Sequence, residues 1–156
     1  MRKMKWKVLL VCFLAVFSVA IIGGLFTSSS VNSSWYQSIK PSFTPPNYVF
    51  PIVWNVLFFL ISISLYLALT STNKKQIKRK IAAVFGMNLL LNFLWSFLFF
   101  AKQNPFGAFF DLVALWITIV AMIYTTYKVN KTSAYLLIPY LLWVSFAGFL
   151  NWAIAF

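Results

Sequence analysis

Five apolar runs, separated by short polar gaps, set the pattern of this chain: residues 8–26, 51–70, 81–101, 106–127 and 134–156. Each is about 20 residues long, enough for a helix to cross a hydrocarbon core of roughly 30 Å. Backbone groups in lipid must pair within their own segment, so such runs are helices. The alternating segments of about 10 residues that mark a membrane barrel are absent. The pattern therefore predicts an all-α integral membrane protein, one domain over 1–156 built as a bundle of five transmembrane helices. The first run is longer than the 7–15 apolar residues of a signal peptide and is read as a retained span. No internal repeat of the kind that builds secondary transporters is visible.

Most gaps are short, so successive helices should pack as antiparallel neighbours. The first loop, 27–49, is the exception. The stretch from Trp35 to Trp54 carries two Trp, two Tyr, two Phe and four Pro. Disordered segments have low hydrophobicity, and Lys40-Pro41 and Pro45-Pro46 hold the chain extended. This loop reads as a folded lid over one end of the helices.

Composition agrees with the pattern. The chain is 62% hydrophobic and 9% charged, against roughly 25% charged in soluble domains, and its mean hydropathy is +0.87. The net charge of +12 comes from 13 basic residues and one acid, Asp111. The basic residues sit in the gaps rather than on one face, which excludes a nucleic-acid surface. Arg2, Lys3, Lys5 and Lys7, then Lys74, Lys75, Lys78, Arg79 and Lys80, then Lys128 and Lys131 fall on one side of the membrane; only Lys40 and Lys102 fall on the other. The positive-inside rule then puts the N-terminus in the cytoplasm, and the first loop and C-terminus outside, in a bacterial cell membrane. The one cysteine, Cys12, has no partner within the chain.

The inventory of reactive groups is sparse. With no His, no Glu and one Asp, there is no acid–base pair, no metal-ligand cluster and no implied cofactor. What the spans do contain is amides and tryptophans at helical spacing. Asn88, Asn92, Trp95 and Phe99 share a face of the third span, Trp143, Ala147, Leu150 and Asn151 a face of the fifth, and Trp54, Phe58, Ile61 and Leu65 a face of the second. Intramembrane amides face the bundle interior, as helix–helix glue or as lining of a site. Three inward faces, each with a Trp, under an aromatic lid predict a cavity for a planar apolar ligand. Trp6, Trp35 and Trp152 also fit an interfacial belt, whereas Trp95 and Trp143 lie too deep for it. Asp111 reads as a partner of the fourth helix's dipole or as a polar anchor at the cavity mouth. Ala82 and Gly86 form a small-xxx-small pair that would allow a homodimer through the third span. Val120-x3-Tyr124-x3-Lys128 matches a weak pattern proposed for cholesterol.

Several stretches together resemble the translocator protein / tryptophan-rich sensory protein family (TspO/MBR). They are Trp35-Tyr36-x-x-Ile39-Lys40-Pro41-x-Phe43-x-Pro45-Pro46, Phe50-x-x-Val53-Trp54, Asn92-x-x-Trp95-x-x-x-Phe99-Phe100 and Pro139-Tyr140-Leu141-x-Trp143-x-x-Phe146-Ala147-x-x-Leu150-Asn151. Asp111 stands where the family often has Asp. The resemblance implies five helices, a homodimer, and binding of porphyrins such as protoporphyrin IX and of hydrophobic drug-like molecules. It places the ligand under the first loop, against Trp35, Trp54, Trp95, Trp143 and Ala147. It also raises porphyrin degradation as an alternative activity, with Trp54 and Trp143 as the catalytic residues, and small-molecule transport as a third. Phe43 and Phe58 depart from the family's usual Trp and Tyr, and the basic–aromatic tail that carries the animal sterol motif is missing, so cholesterol is not the expected ligand.

Overall fold

The computed structural model describes residues 4–156, all helix and connecting segments with no strand among them. The helices are α1 (Trp6–Ser30), α2 (Ser34–Ile39), α3 (Val49–Thr70), α4 (Lys75–Ser96), α5 (Pro105–Tyr127), α6 (Lys131–Tyr135) and α7 (Ile138–Ala155). Five are long and apolar enough to cross a membrane once α4 is extended through its last turn to Ala101 and α6 and α7 are taken together. Arg2 and Lys3 of the basic N-terminal group lie outside the described residues.

The helices run past the predicted apolar limits. α1 continues to Ser30, four residues into the expected loop, and Thr27, Ser28 and Ser29 satisfy their hydroxyls on carbonyls of the preceding turn. α4 begins at Lys75, since basic residues extend a helix into the polar interface as readily as apolar ones extend it through lipid.

Two breaks depart from regular helix. The last turn of α4, Phe97–Ala101, is π-helical and closes with Lys102 N–H donating to the Phe97 carbonyl at 2.9 Å. The wider turn buries both Phe99 and Phe100. The chain then reverses through Gln103 at φ 50, and α5 starts at Pro105 with Asn104 capping the Gly107 N–H at 2.9 Å. The fifth span is interrupted at Leu136 and Leu137, where a single helix was expected. Pro139, near the start of α7, has no N–H to return to the preceding turn, so the helix ends at Tyr135 and restarts at Ile138.

Burial follows the three predicted faces. Phe58, Ile61, Leu65, Asn88, Asn92, Phe99, Leu150 and Asn151 are buried, and Trp54, Trp95, Trp143 and Ala147 pack against the core. α5 lies against both α4 and α7, and α1 against α3 and α4. Phe13, Phe17, Phe58 and Phe59 pack α1 to α3, and the Lys5 N–H reaches the Tyr66 hydroxyl at 3.1 Å near the basic end of the bundle.

Polar side chains tie the helices where lipid would leave them unpaired. Asn92 donates to the Tyr140 hydroxyl at 3.2 Å, Tyr140 donates to Asn88 Oδ1 at 3.1 Å, and Asn88 donates to Thr118 Oγ1 at 2.9 Å. Ser64 and Ser133 exchange hydroxyl–carbonyl bonds at 2.8 Å, clamping α3 to α6.

Candidate functional site

The non-basic end of the bundle holds a cavity of about 430 Å³, within the usual size range of small-molecule sites. Its lid comes from the first loop. Ser33 caps α2 by accepting from the Tyr36 N–H at 3.2 Å. Tyr36 is buried against Phe99 and Phe100, with ring centroids at 6.2 and 5.7 Å. Burial raises the Tyr36 phenol above its ordinary pKa, so the hydroxyl stays neutral. Asn47 donates to Asn32 Oδ1 at 3.1 Å, fastening the segment after the prolines to the end of α1. Tyr36, Thr44, Asn47 and Phe50 all line the cavity.

Below the lid the walls are aromatic, and neighbouring rings hold them. Trp54 stacks on Phe58 at 5.4 Å and meets Tyr140 edge-on at 6.2 Å. Trp95 stacks on Phe99 at 5.1 Å, and its indole N–H donates to Asn151 Oδ1 at 3.0 Å. Asn151 in turn donates to the Pro105 carbonyl at 2.8 Å. Trp143 packs against Phe50 at 5.8 Å and Phe146 at 5.6 Å. Its indole N–H and the Thr44 hydroxyl in the lid are buried with no hydrogen-bond partner among the described residues. Among the described residues, no ionisable side chain other than the Tyr36 phenol lines the cavity, and its polar lining is otherwise amides, hydroxyls and indoles.

Of the residues singled out in the sequence, Trp54, Asn92, Trp95, Trp143, Ala147, Leu150 and Asn151 line one cavity. Two expected lining residues do not. Asn88 is fully buried one helical turn deeper, with its amide committed to Thr118 and Tyr140; it joins helices. Trp35 lies beside the cavity, its ring edge-on to Phe99 at 5.9 Å, where it buttresses the wall from behind. Asp111 is also displaced from both of its expected roles. It is the seventh residue of α5, past the first turn where the dipole acts, and it is absent from the cavity lining. Both its carboxylate oxygens are buried without a hydrogen-bond partner among the described residues.

The α1 wall was not anticipated. Ala20, Gly23, Gly24 and Thr27 recur at i, i+3, i+4 and i+7 and line the cavity together. Gly23 is buried where a Cβ would lie 3.3 Å from Ser96 Oγ, so its lack of a side chain lets α1 approach α4 there. That stripe of small residues is the signal the sequence carries for this wall; no Trp or Asn stands beside it to mark the face, since the one Trp of α1, Trp6, lies at the far end of the helix. Asn55 and Ser96 are among the other unanticipated lining residues. Trp6 and Trp152 are 66% and 51% exposed, as an interfacial belt requires.

The model of the TspO/MBR family matches residues 11–156. A "Tryptophan-rich protein TspO" of Archaeoglobus fulgidus is 44% identical over 149 residues, covering 94% of each chain. Another from Chlorobaculum tepidum is 38% identical over 148 residues, covering 94% of this chain and 92% of that one. The "Translocator protein" of Sus scrofa is 28% identical over 141 residues, 87% and 83% of the two chains. The match runs through the lid, the tryptophan walls and the amide-bearing faces of α4 and α7, and the chain belongs to the TspO/MBR family.

Proposed function

We propose that this protein is a membrane receptor or carrier that takes porphyrins, protoporphyrin IX among them, and other flat hydrophobic molecules into the cavity under its first loop, in a sensory or stress role. The observation that carries this is the cavity itself: Trp54, Trp95 and Trp143 line a space of about 430 Å³ whose polar lining, among the described residues, contains no carboxylate, imidazole or ammonium group. Such walls offer broad π surface and directional neutral donors and acceptors, the chemistry a large conjugated ring needs. A relative from Cereibacter sphaeroides carries the name "Tryptophan-rich sensory protein", which supports the sensory part of the reading.

Under the same proposal, the ligand-binding residues are Trp54, Asn92, Trp95, Trp143, Ala147, Leu150 and Asn151, with Tyr36 and Thr44 added from the lid. The protein is read as a homodimer meeting through the exposed Ala82 and Gly86 of α4, in a bacterial cell membrane, with its basic end in the cytoplasm. Protoporphyrin added to purified protein should shift its absorbance on binding and then hold a steady spectrum in light and in dark. A protein-dependent loss of the porphyrin bands with time would instead favour degradation, with Trp54 and Trp143 as the participating residues.

A further inference from the structure

The basic end of the bundle carries a feature the cavity does not use. Lys128, just past the end of α5, turns back along the helix: its Nζ lies 2.6 Å from the Tyr124 hydroxyl and 4.0 Å from that ring's centroid. Lys131 does the same one turn on, with Nζ 5.5 Å from the centre of Tyr127. A lysine at the end of a span ordinarily extends its ammonium outward to water. These two fold the other way, toward the membrane, onto tyrosines that are 60% and 46% exposed. Lys80 stands near the start of α4, which packs against α5 and begins at this same end of the bundle.

No acid balances this cluster. The chain's single acid, Asp111, sits near the opposite end of α5. Tyr124 accepts from Lys128, which leaves its own proton free to donate. The Lys128 ammonium and a phenol donor therefore meet at the basic end of the bundle, with Lys80 on the adjoining helix, on a face that continues inward as exposed Val120 and Ile117. Val120, Tyr124 and Lys128 are also the residues of the weak sterol-type pattern. A sterol hydroxyl is neutral and has no use for a pair of cations.

We propose that Lys80, Tyr124 and Lys128 form a seat for the phosphodiester headgroup of an anionic phospholipid, with an acyl chain lying along Val120 and Ile117. The site is independent of the cavity and of what the cavity binds. Both ammonium groups face the phosphodiester charge, and the Tyr124 hydroxyl donates to one of its oxygens.

Native mass spectrometry of the full-length protein in neutral detergent tests this, with phosphatidylglycerol, phosphatidylcholine, cholesterol and inorganic phosphate as separate probes. Phosphatidylglycerol should show a tight first binding step that phosphatidylcholine lacks. Lys80→Gln with Lys128→Gln should weaken that step on the order of thirty-fold, and Tyr124→Phe should weaken it several-fold. Lys74→Gln with Lys75→Gln removes the same charge from the same end and should change it by less than about three-fold. Equal losses in the two lysine pairs would reduce the effect to diffuse charge and overturn the site. So would equal binding of the two phospholipids, a cholesterol complex indifferent to the lysines, or competition by inorganic phosphate at the concentration where phosphatidylglycerol binds. Should the Lys80, Lys128 variant fail to fold, Tyr124→Phe alone decides between these outcomes.

Discussion

At the scale of single residues, depth along the helix separates two amides that the sequence pattern could not. Asn88 and Asn92 stand one turn apart on the same face of α4 and are both buried, yet only Asn92 reaches the cavity wall. Asn88 holds Thr118 and Tyr140 instead, joining α4, α5 and α7 through one side chain. Replacing Asn88 by Leu removes the acceptor for a fully buried Tyr140 hydroxyl, whose cost should be about 1–2 kcal/mol. The expected result is a melting temperature lowered by a few degrees with ligand affinity nearly unchanged, measured by thermal unfolding of the purified protein beside a ligand titration. An unchanged melting temperature with weakened binding would return Asn88 to the site. Helical spacing gave both residues the same direction. Depth along the helix, which decides what each one meets, is set by how far the neighbouring helices slide past it.

At the scale of elements, the five spans were legible because lipid leaves the backbone no alternative to helix. The inward faces of α3, α4 and α7 were legible because Trp and Asn mark them at helical spacing. The contribution of α1 was not, since glycine and alanine advertise closeness only once the partner helix is known. The break before α7 was written in Pro139, but an apolar run continues straight through Leu136 and Leu137 and hides it. The outer face of α4 gives a prediction of its own. Ala82 and Gly86 are exposed, and a Cβ added at Gly86 meets nothing within 4 Å. Leu at both positions fits the monomer, but should block the close backbone approach of two α4 helices. Sizing in detergent with light scattering should then show dimeric wild type and a monomeric variant; a variant that stays dimeric would place the interface on another helix.

At the scale of the whole molecule, charge and cavity lie at opposite ends. All described basic residues but Lys40 and Lys102 are at one end, and the lid and tryptophan walls are at the other. This asymmetry predicts the orientation. With Cys12 replaced, a cysteine at Ser33 should react with a membrane-impermeant thiol reagent in intact cells; labelling only after lysis would invert the topology. The central claim is that the tryptophan walls hold a flat aromatic ligand, and protoporphyrin IX titration followed by fluorescence tests it most directly on wild type, Trp54→Ala, Trp143→Ala and Trp6→Ala. Loss of a large buried contact costs about 2 kcal/mol in binding, on the order of thirty-fold in affinity. Trp54→Ala and Trp143→Ala should each show that loss, and Trp6→Ala, exposed at the basic end, should bind as wild type does. Equal weakening in all three variants, or in none, would contradict the account.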